Sequence, residues 1–164
     1  MIAVLRCSSG LEAQRFFGIL ADQWKTRWNI AGLIEEPDPC NLRDHGAGVL
    51  AGVGSDVRFH IAMDNNCENG CNLSTETMMA ACAYLEDAIL AGPDLIVLNK
   101  FGRMEAARSG MISVFGAAIS AGIPVLTYVA PIFRANWDEF AAPCYTELPC
   151  SLHAIEAWYR SARP

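Results

Sequence analysis

The chain has no long uninterrupted apolar run. Its hydrophobic stretches are broken by Gly, Pro or a charge well before the roughly 20 residues that a membrane-spanning helix needs, so no transmembrane segment is expected. Positive charge is also scarce: the formal net charge of the 164 residues is −6, which disfavours a general role on nucleic acid or other polyanions. No basic stretch precedes the apolar Met1-Ile2-Ala3-Val4-Leu5. That segment therefore reads as a first strand rather than an export signal, with a cytoplasmic location as the expectation. Cysteine is not scarce, with seven residues. An odd count without an export signal argues against a disulfide framework, so the expectation is reduced thiols. What is present, 52% hydrophobic and 18% charged residues, is the composition of a soluble globular protein. The length is most simply one domain spanning residues 1–164.

Hydrophobic periodicity predicts strands at Ile2–Leu5, Asn29–Ile34, Val57–Met63, Asp94–Leu98 and Ile123–Val129. Between them it predicts helices from Leu11 to about Arg27, from Ser74 through Ile89, and from about Glu105 to Ala121, with shorter helices near Arg134–Phe140 and Ser151–Arg160. The glycine-punctuated segment from Cys40 to Ser55 reads as a loop or loose hairpin. Strands separated by helices imply right-handed crossovers. The expected fold is therefore an α/β three-layer sandwich around a mainly parallel sheet of about five strands.

The run Leu95-Ile96-Val97-Leu98 ends abruptly in Asn99-Lys100-Phe101-Gly102-Arg103-Met104-Glu105. Four consecutive aliphatics suit a strand covered on both faces, and in open α/β sheets ligands collect beyond the carboxyl ends of such strands. Lys100 can supply charge to an anion, Asn99 and the Gly102 backbone hydrogen bonds, and Arg103 a second cation. Glu105 can orient Lys100 or accept a proton, and so is the candidate catalytic residue. The plainer alternative is a Lys100–Glu105 ion pair with Asn99 capping a turn. The first strand is followed by Arg6-Cys7-Ser8-Ser9-Gly10-Leu11, where Ser8, Ser9 and Gly10 can hold a small anion at a helix start or simply cap that helix. A full phosphate-binding loop also needs a Gly-Lys-Ser/Thr ending, absent here.

Other motifs are incomplete. Cys67 and Cys71, with Cys40, His45 and His60, are candidate metal ligands or redox thiols, but the paired C-x2-C spacing of structural zinc sites is missing. Cys7 and Cys82 read as core residues. Gly46-Ala47-Gly48-Val49-Leu50-Ala51-Gly52 misses the dinucleotide pattern by one residue, and no nucleophile elbow is present.

The stretch from Leu95 to Ala106, with Gly110 and then Ala121-Gly122-Ile123-Pro124-Val125-Leu126-Thr127, resembles a bacterial family of unassigned function. That family is similar to P-loop nucleoside triphosphatases, and its members are often associated with molybdate transport genes. Gly70-Cys71-Asn72-Leu73 and Trp137 to Phe140 resemble further elements of its pattern. The resemblance implies a P-loop-like fold binding a nucleotide or an oxyanion such as molybdate. Two departures stand out: Arg108 occupies a position where relatives tend to have glycine, and Asn99-Lys100 replaces the acidic pair that serves magnesium in active NTPases. The leading expectation is an accessory or regulatory protein that binds a small anion or nucleotide and lacks robust NTPase activity. A nucleoside-triphosphate phosphohydrolase or phosphotransferase is the alternative, and a cysteine-based metal or redox protein the second alternative. No cofactor is indicated. A homodimer or a transport-related protein partner is compatible with the sequence.

Overall fold

The computed structural model describes residues 1–37, 48–61 and 74–162. Within these residues seven strands form one sheet: β1 (Ile2–Arg6), β2 (Ile30–Glu35), β3 (Val49–Gly52), β4 (Arg58–His60), β5 (Leu95–Phe101), β6 (Val125–Val129) and β7 (Tyr145–Pro149). Their order is β4-β3-β2-β5-β6-β1-β7. The five strands from β2 to β7 along that order pair in parallel, whereas β3 and β4 add an antiparallel edge. The expectation of a mainly parallel, five-stranded sheet is thus corrected to a mixed, seven-stranded one. The extra strands are β3, whose glycines read as loop, and β7, whose Thr146, Glu147 and Pro149 suit an edge strand with one solvated side.

Among the described residues six α-helices cover the sheet: α1 (Gly10–Trp24), α2 (Thr75–Leu90), α3 (Arg103–Ala106), α4 (Ile112–Ser120), α5 (Arg134–Ala141) and α6 (Leu152–Ala162). Successive side chains of a strand point to opposite faces, and the burial shows it. Ile2 and Val4 of β1, Ile96 and Leu98 of β5, and Val125 and Val129 of β6 enter a core shared with α2, α4 and α5. Ala3 and Leu5, Leu95 and Val97, and Leu126 and Tyr128 enter a second core shared with α1 and α6. Burial on both faces is why β5 and β6 read as continuous apolar runs. Gly32 lets β2 and β5 approach closely, since a Cβ there would stand 2.2 Å from the Val97 carbonyl oxygen.

The single helix expected from Glu105 to Ala121 is two helices. Between α3 and α4 the backbone turns through Arg108 at φ 58° and Gly110 at φ 61°, left-handed conformations that no helix continues through. Ile119, on α4, is 39% exposed. Arg108 adopts this conformation without being glycine; its N–H donates to the Glu105 carbonyl oxygen (3.0 Å) and its side chain makes an exposed ion pair with Glu139 (2.9 Å). Arg108→Gly is therefore expected to raise stability by about 0.5 kcal/mol, relief of the left-handed penalty outweighing a weak surface pair and the entropy of glycine. A loss above about 1 kcal/mol in urea denaturation would contradict that account.

The connection leaving β1 crosses to β2 through α1 on one face, while the one leaving β6 reaches β7 through α5 on the other. β1 and β6 are neighbours, so their connections part at the carboxyl ends. Open α/β sheets place a ligand crevice at such a point.

Candidate functional site

Four sequence segments meet at the carboxyl pole of the sheet: the β1–α1 turn, the end of β2, the end of β5 and the start of α3. Parallel registry does the assembling. Leu33 of β2 is level with Leu98 of β5, which puts Glu35 level with Lys100. Lys100 Nζ donates to Glu35 Oε2 at 2.8 Å. The ion pair expected with Glu105 is not the one formed.

The Lys100 side chain is 38% exposed and that of Glu35 8%. The carboxyl group is inside and the ammonium at its rim, so Glu35 fixes Lys100 while leaving it in reach of solvent. An ammonium has three N–H donors, and one goes to Glu35. Asn99 is buried. Its Oδ1 accepts from the Lys100 backbone N–H (2.8 Å) and its carbonyl oxygen accepts from Gln14 Nε2 (2.7 Å). Gln14 Oε1 in turn accepts from the Glu35 N–H (2.8 Å). A buried glutamine on α1 thus bridges the ends of β2 and β5. The Asn99 Nδ2 donors have no protein acceptor among the described residues.

Glu105 is buried, and both of its oxygens are in use: Oε2 accepts from the Gly102 N–H and Oε1 from the Met111 N–H, each at 3.0 Å. Those bonds close the short α3 helix onto the turn before α4. The Gly102 N–H is therefore committed within the protein. Ser9 caps α1, its Oγ accepting from the Glu12 N–H (3.1 Å), and Glu12 reaches back to accept from both the Ser8 N–H and the Ser8 hydroxyl (2.6 Å each). The Ser8 hydroxyl bond, reinforced by the Ser8 N–H, holds the Glu12 carboxyl below the ordinary glutamate value. Gly10 lies against Tyr128 of β6; a Cβ added there would stand 3.5 Å from the ring.

Three arginines make no ion pair among the described residues: Arg6 at the end of β1, Arg15 on α1 and Arg103 at the start of α3. Arg6 and Arg103 stand at the carboxyl pole and are exposed. The acidic groups Glu12, Glu35 and Glu105 all have partners. Among the described residues the pole consequently offers spare donors and few spare acceptors. A cleft of about 720 Å³ lined by Asp22, Lys25, Trp28, Asp56 and Tyr84 lies at the opposite, amino end of β2, away from all of these groups. The candidate site lies where these polar groups converge, apart from that cleft.

Gln14 and Glu35 were not visible as site residues in the sequence, although a charge closing the apolar run Ile30–Ile34 was a usable signal for Glu35. The cysteine expectations fare differently. Cys7 is bonded to Cys150 across the ends of β1 and β7, with Cα atoms 6.0 Å apart. The expectation of reduced thiols throughout is corrected there: parallel pairing of the two strands brings together cysteines that sequence parity could not pair. Cys82 is half-buried with its thiol on the Gly110 carbonyl oxygen (3.4 Å), and burial, with the charges of Glu86 and Glu105, pushes the thiol up. Cys40, His45, Cys67 and Cys71 lie outside the described residues. Among the described residues no group of three or more His, Cys, Asp or Glu side chains could hold a metal ion, and no helix is long and apolar enough to cross a membrane.

A family model described as "Protein of unknown function (DUF2478)" matches residues 2–158. A molybdenum import ATP-binding protein, ModC 2 of Bradyrhizobium diazoefficiens, is 40% identical over 90 residues, which are 55% of this chain and 10% of the relative. The match thus takes in about a tenth of the length of that relative. No solved structure matches.

Proposed function

The chain belongs to the DUF2478 family of proteins of unknown function, and on that premise we propose that it binds a small oxyanion, or the phosphate of a nucleotide, at the carboxyl pole of its sheet. In this reading it is a P-loop-like accessory or regulatory protein of the cytoplasm without robust nucleoside-triphosphatase activity. One observation carries the reading. Lys100, Asn99, Arg6 and Arg103 present unused donors at the pole, while Glu12, Glu35 and Glu105 have their carboxyl groups occupied. A surplus of donors suits an acceptor-rich ligand and gives a divalent cation little to bind.

Lys100 and Arg103 supply charge, and Asn99 Nδ2 supplies a directed hydrogen bond. Ser8, Ser9 and Gly10 face the ligand from the start of α1, Ser8 exchanging Glu12 for the anion. Gly102 and Glu105 shape the turn that presents Arg103. Glu35 keeps Lys100 in place and cancels part of its charge, so selection rests on hydrogen-bond geometry as much as on charge. The partial likeness to a molybdenum import ATP-binding protein favours molybdate or tungstate among oxyanions and a transport-related partner for the chain. It equally supports a nucleotide as ligand.

Calorimetric titration with molybdate, tungstate, phosphate, ATP and GTP tests the proposal. At least one is expected to give saturable heat, with Lys100→Ala weakening binding about tenfold, the worth of one charge-assisted hydrogen bond. No heat with any of the five sinks it. The phosphohydrolase alternative is distinguished in the same preparation. It requires phosphate release from ATP or GTP that Glu105→Gln abolishes, whereas the binding reading expects none above background in either protein.

A further inference from the structure

The turn that begins the candidate site starts at a cysteine bonded to a distant one. β1 and β7 are parallel neighbours with Arg6 level with Pro149, so Cys7 and Cys150 are the next pair in register, and their bond ties the β1–α1 turn to the β7–α6 turn. β7 is an edge strand whose strand pairing, among the described residues, is with β1 alone. Beyond Cys7 the turn is shaped by exposed contacts, the Ser8–Glu12 bonds and the Ser9 cap, and joins α1 through the Ala13 N–H, which donates to the Ser9 carbonyl oxygen (3.2 Å). Both cysteines are half-buried, packed at the margin of the core shared with α1 and α6. Arg6 precedes Cys7, and the amino end of α1 follows it by two residues. Both favour a thiolate at Cys7.

We propose that Cys7 and Cys150 form a reversible thiol–disulfide site whose state sets the order of the Ser8–Gly10 turn, and through it the affinity of the oxyanion site. The second half of that statement rests on the binding reading above. In the reductive direction a thiolate of a dithiol attacks Cys150 Sγ, the bond to Cys7 breaks, and Cys7 leaves as the better-stabilised thiolate and takes up a proton. The second thiol of the reductant then closes on the mixed disulfide. Cys150 is released as a thiol and the reductant becomes a disulfide, so two electrons and two protons pass to the protein.

The test equilibrates the full chain in buffers of reduced and oxidised dithiothreitol. Acid quenching, alkylation and peptide mass spectrometry read the state of each cysteine, and hydrogen exchange reads the backbone. Cys7 and Cys150 are expected to titrate together as one two-electron couple. Reduction should speed exchange of the Ser8–Ala13 amides at least tenfold and leave β6 and α4 unchanged. A Cys7→Ser, Cys150→Ser double variant should show the fast exchange in every buffer, and reduction should weaken molybdate or phosphate binding at least fivefold. The proposal is overturned if the pair does not form, if the turn amides do not respond, if exchange rises throughout the chain as for a purely structural staple, or if oxidised and reduced protein bind the anion equally. Redox-dependent turn exchange with no anion heat in either state supports the thiol site and overturns the binding reading.

Discussion

Replacing Trp137 with alanine is expected to cost about 3–5 kcal/mol of folding stability, the range for deleting a large buried aromatic. Trp137 is fully buried on α5. Its ring meets Phe101 at 5.1 Å, Tyr145 at 5.5 Å, and Phe115 and Phe140 at 5.8 Å each, so truncation would open a cavity bordered by four aromatics. Phe101 is the last residue of β5, two residues before Arg103. Loosening this cluster therefore also loosens the strand end that carries Asn99 and Lys100. The indole contributes shape rather than hydrogen bonding: its buried Nε1 has no partner among the described residues. Trp137→Phe should accordingly cost less than about 1.5 kcal/mol, because the smaller ring removes an unpaired polar group along with some packing. Urea denaturation of the two variants checks this. If phenylalanine costs as much as alanine, the indole nitrogen has an energetic role that its surroundings do not show.

The strand that delivers the site was legible in the sequence because Leu95 to Leu98 is buried on both faces and could only be spelled in aliphatics. Its true end was not. β5 continues through Asn99, Lys100 and Phe101; the first two are polar letters that read as loop but stay in the strand, bonded to Gln14 and Glu35, 85 and 65 residues away in sequence. Such partners are set by parallel register, which no local pattern encodes. The same limit hid the Cys7–Cys150 pair. The α1 and α2 starts were legible for the opposite reason: the Ser9 and Ser74 caps are local interactions, with each hydroxyl accepting from an N–H three residues on. Between α3 and α4 the helical periodicity misled, since Met104, Met111 and Phe115 keep a plausible stripe while Arg108 and Gly110 break the backbone. Local chemistry thus gave the elements, and the pairing of distant strands assembled the site from them.

Glu105→Ala is expected to cost about 3 kcal/mol and to weaken anion binding with it. The carboxyl group is buried and accepts from two backbone N–H groups, Gly102 and Met111, one on each side of the α3 turn. Removing it strands both donors, at roughly 1–3 kcal/mol apiece, partly relieved where water can enter. The surroundings are built for that side chain. Gly110 has no Cβ where one would stand 2.5 Å from Glu105 Oε1, and its φ of 61° suits glycine. Glu105→Gln keeps one acceptor oxygen but turns an amide donor toward the other N–H. It should therefore lose part of the stability and keep more anion affinity than the alanine variant. The pair of variants separates the two roles open to this residue. A proton-transfer residue would lose turnover in Glu105→Gln while folding stability stayed near wild type. A turn-shaping residue loses stability and affinity together, in proportion to the acceptors removed. Arg103 begins the helix that Glu105 closes, so its place at the pole depends on the same two hydrogen bonds. Denaturation and titration run on the two variants should therefore move in step; wild-type stability in Glu105→Ala would remove this account of how the turn is held.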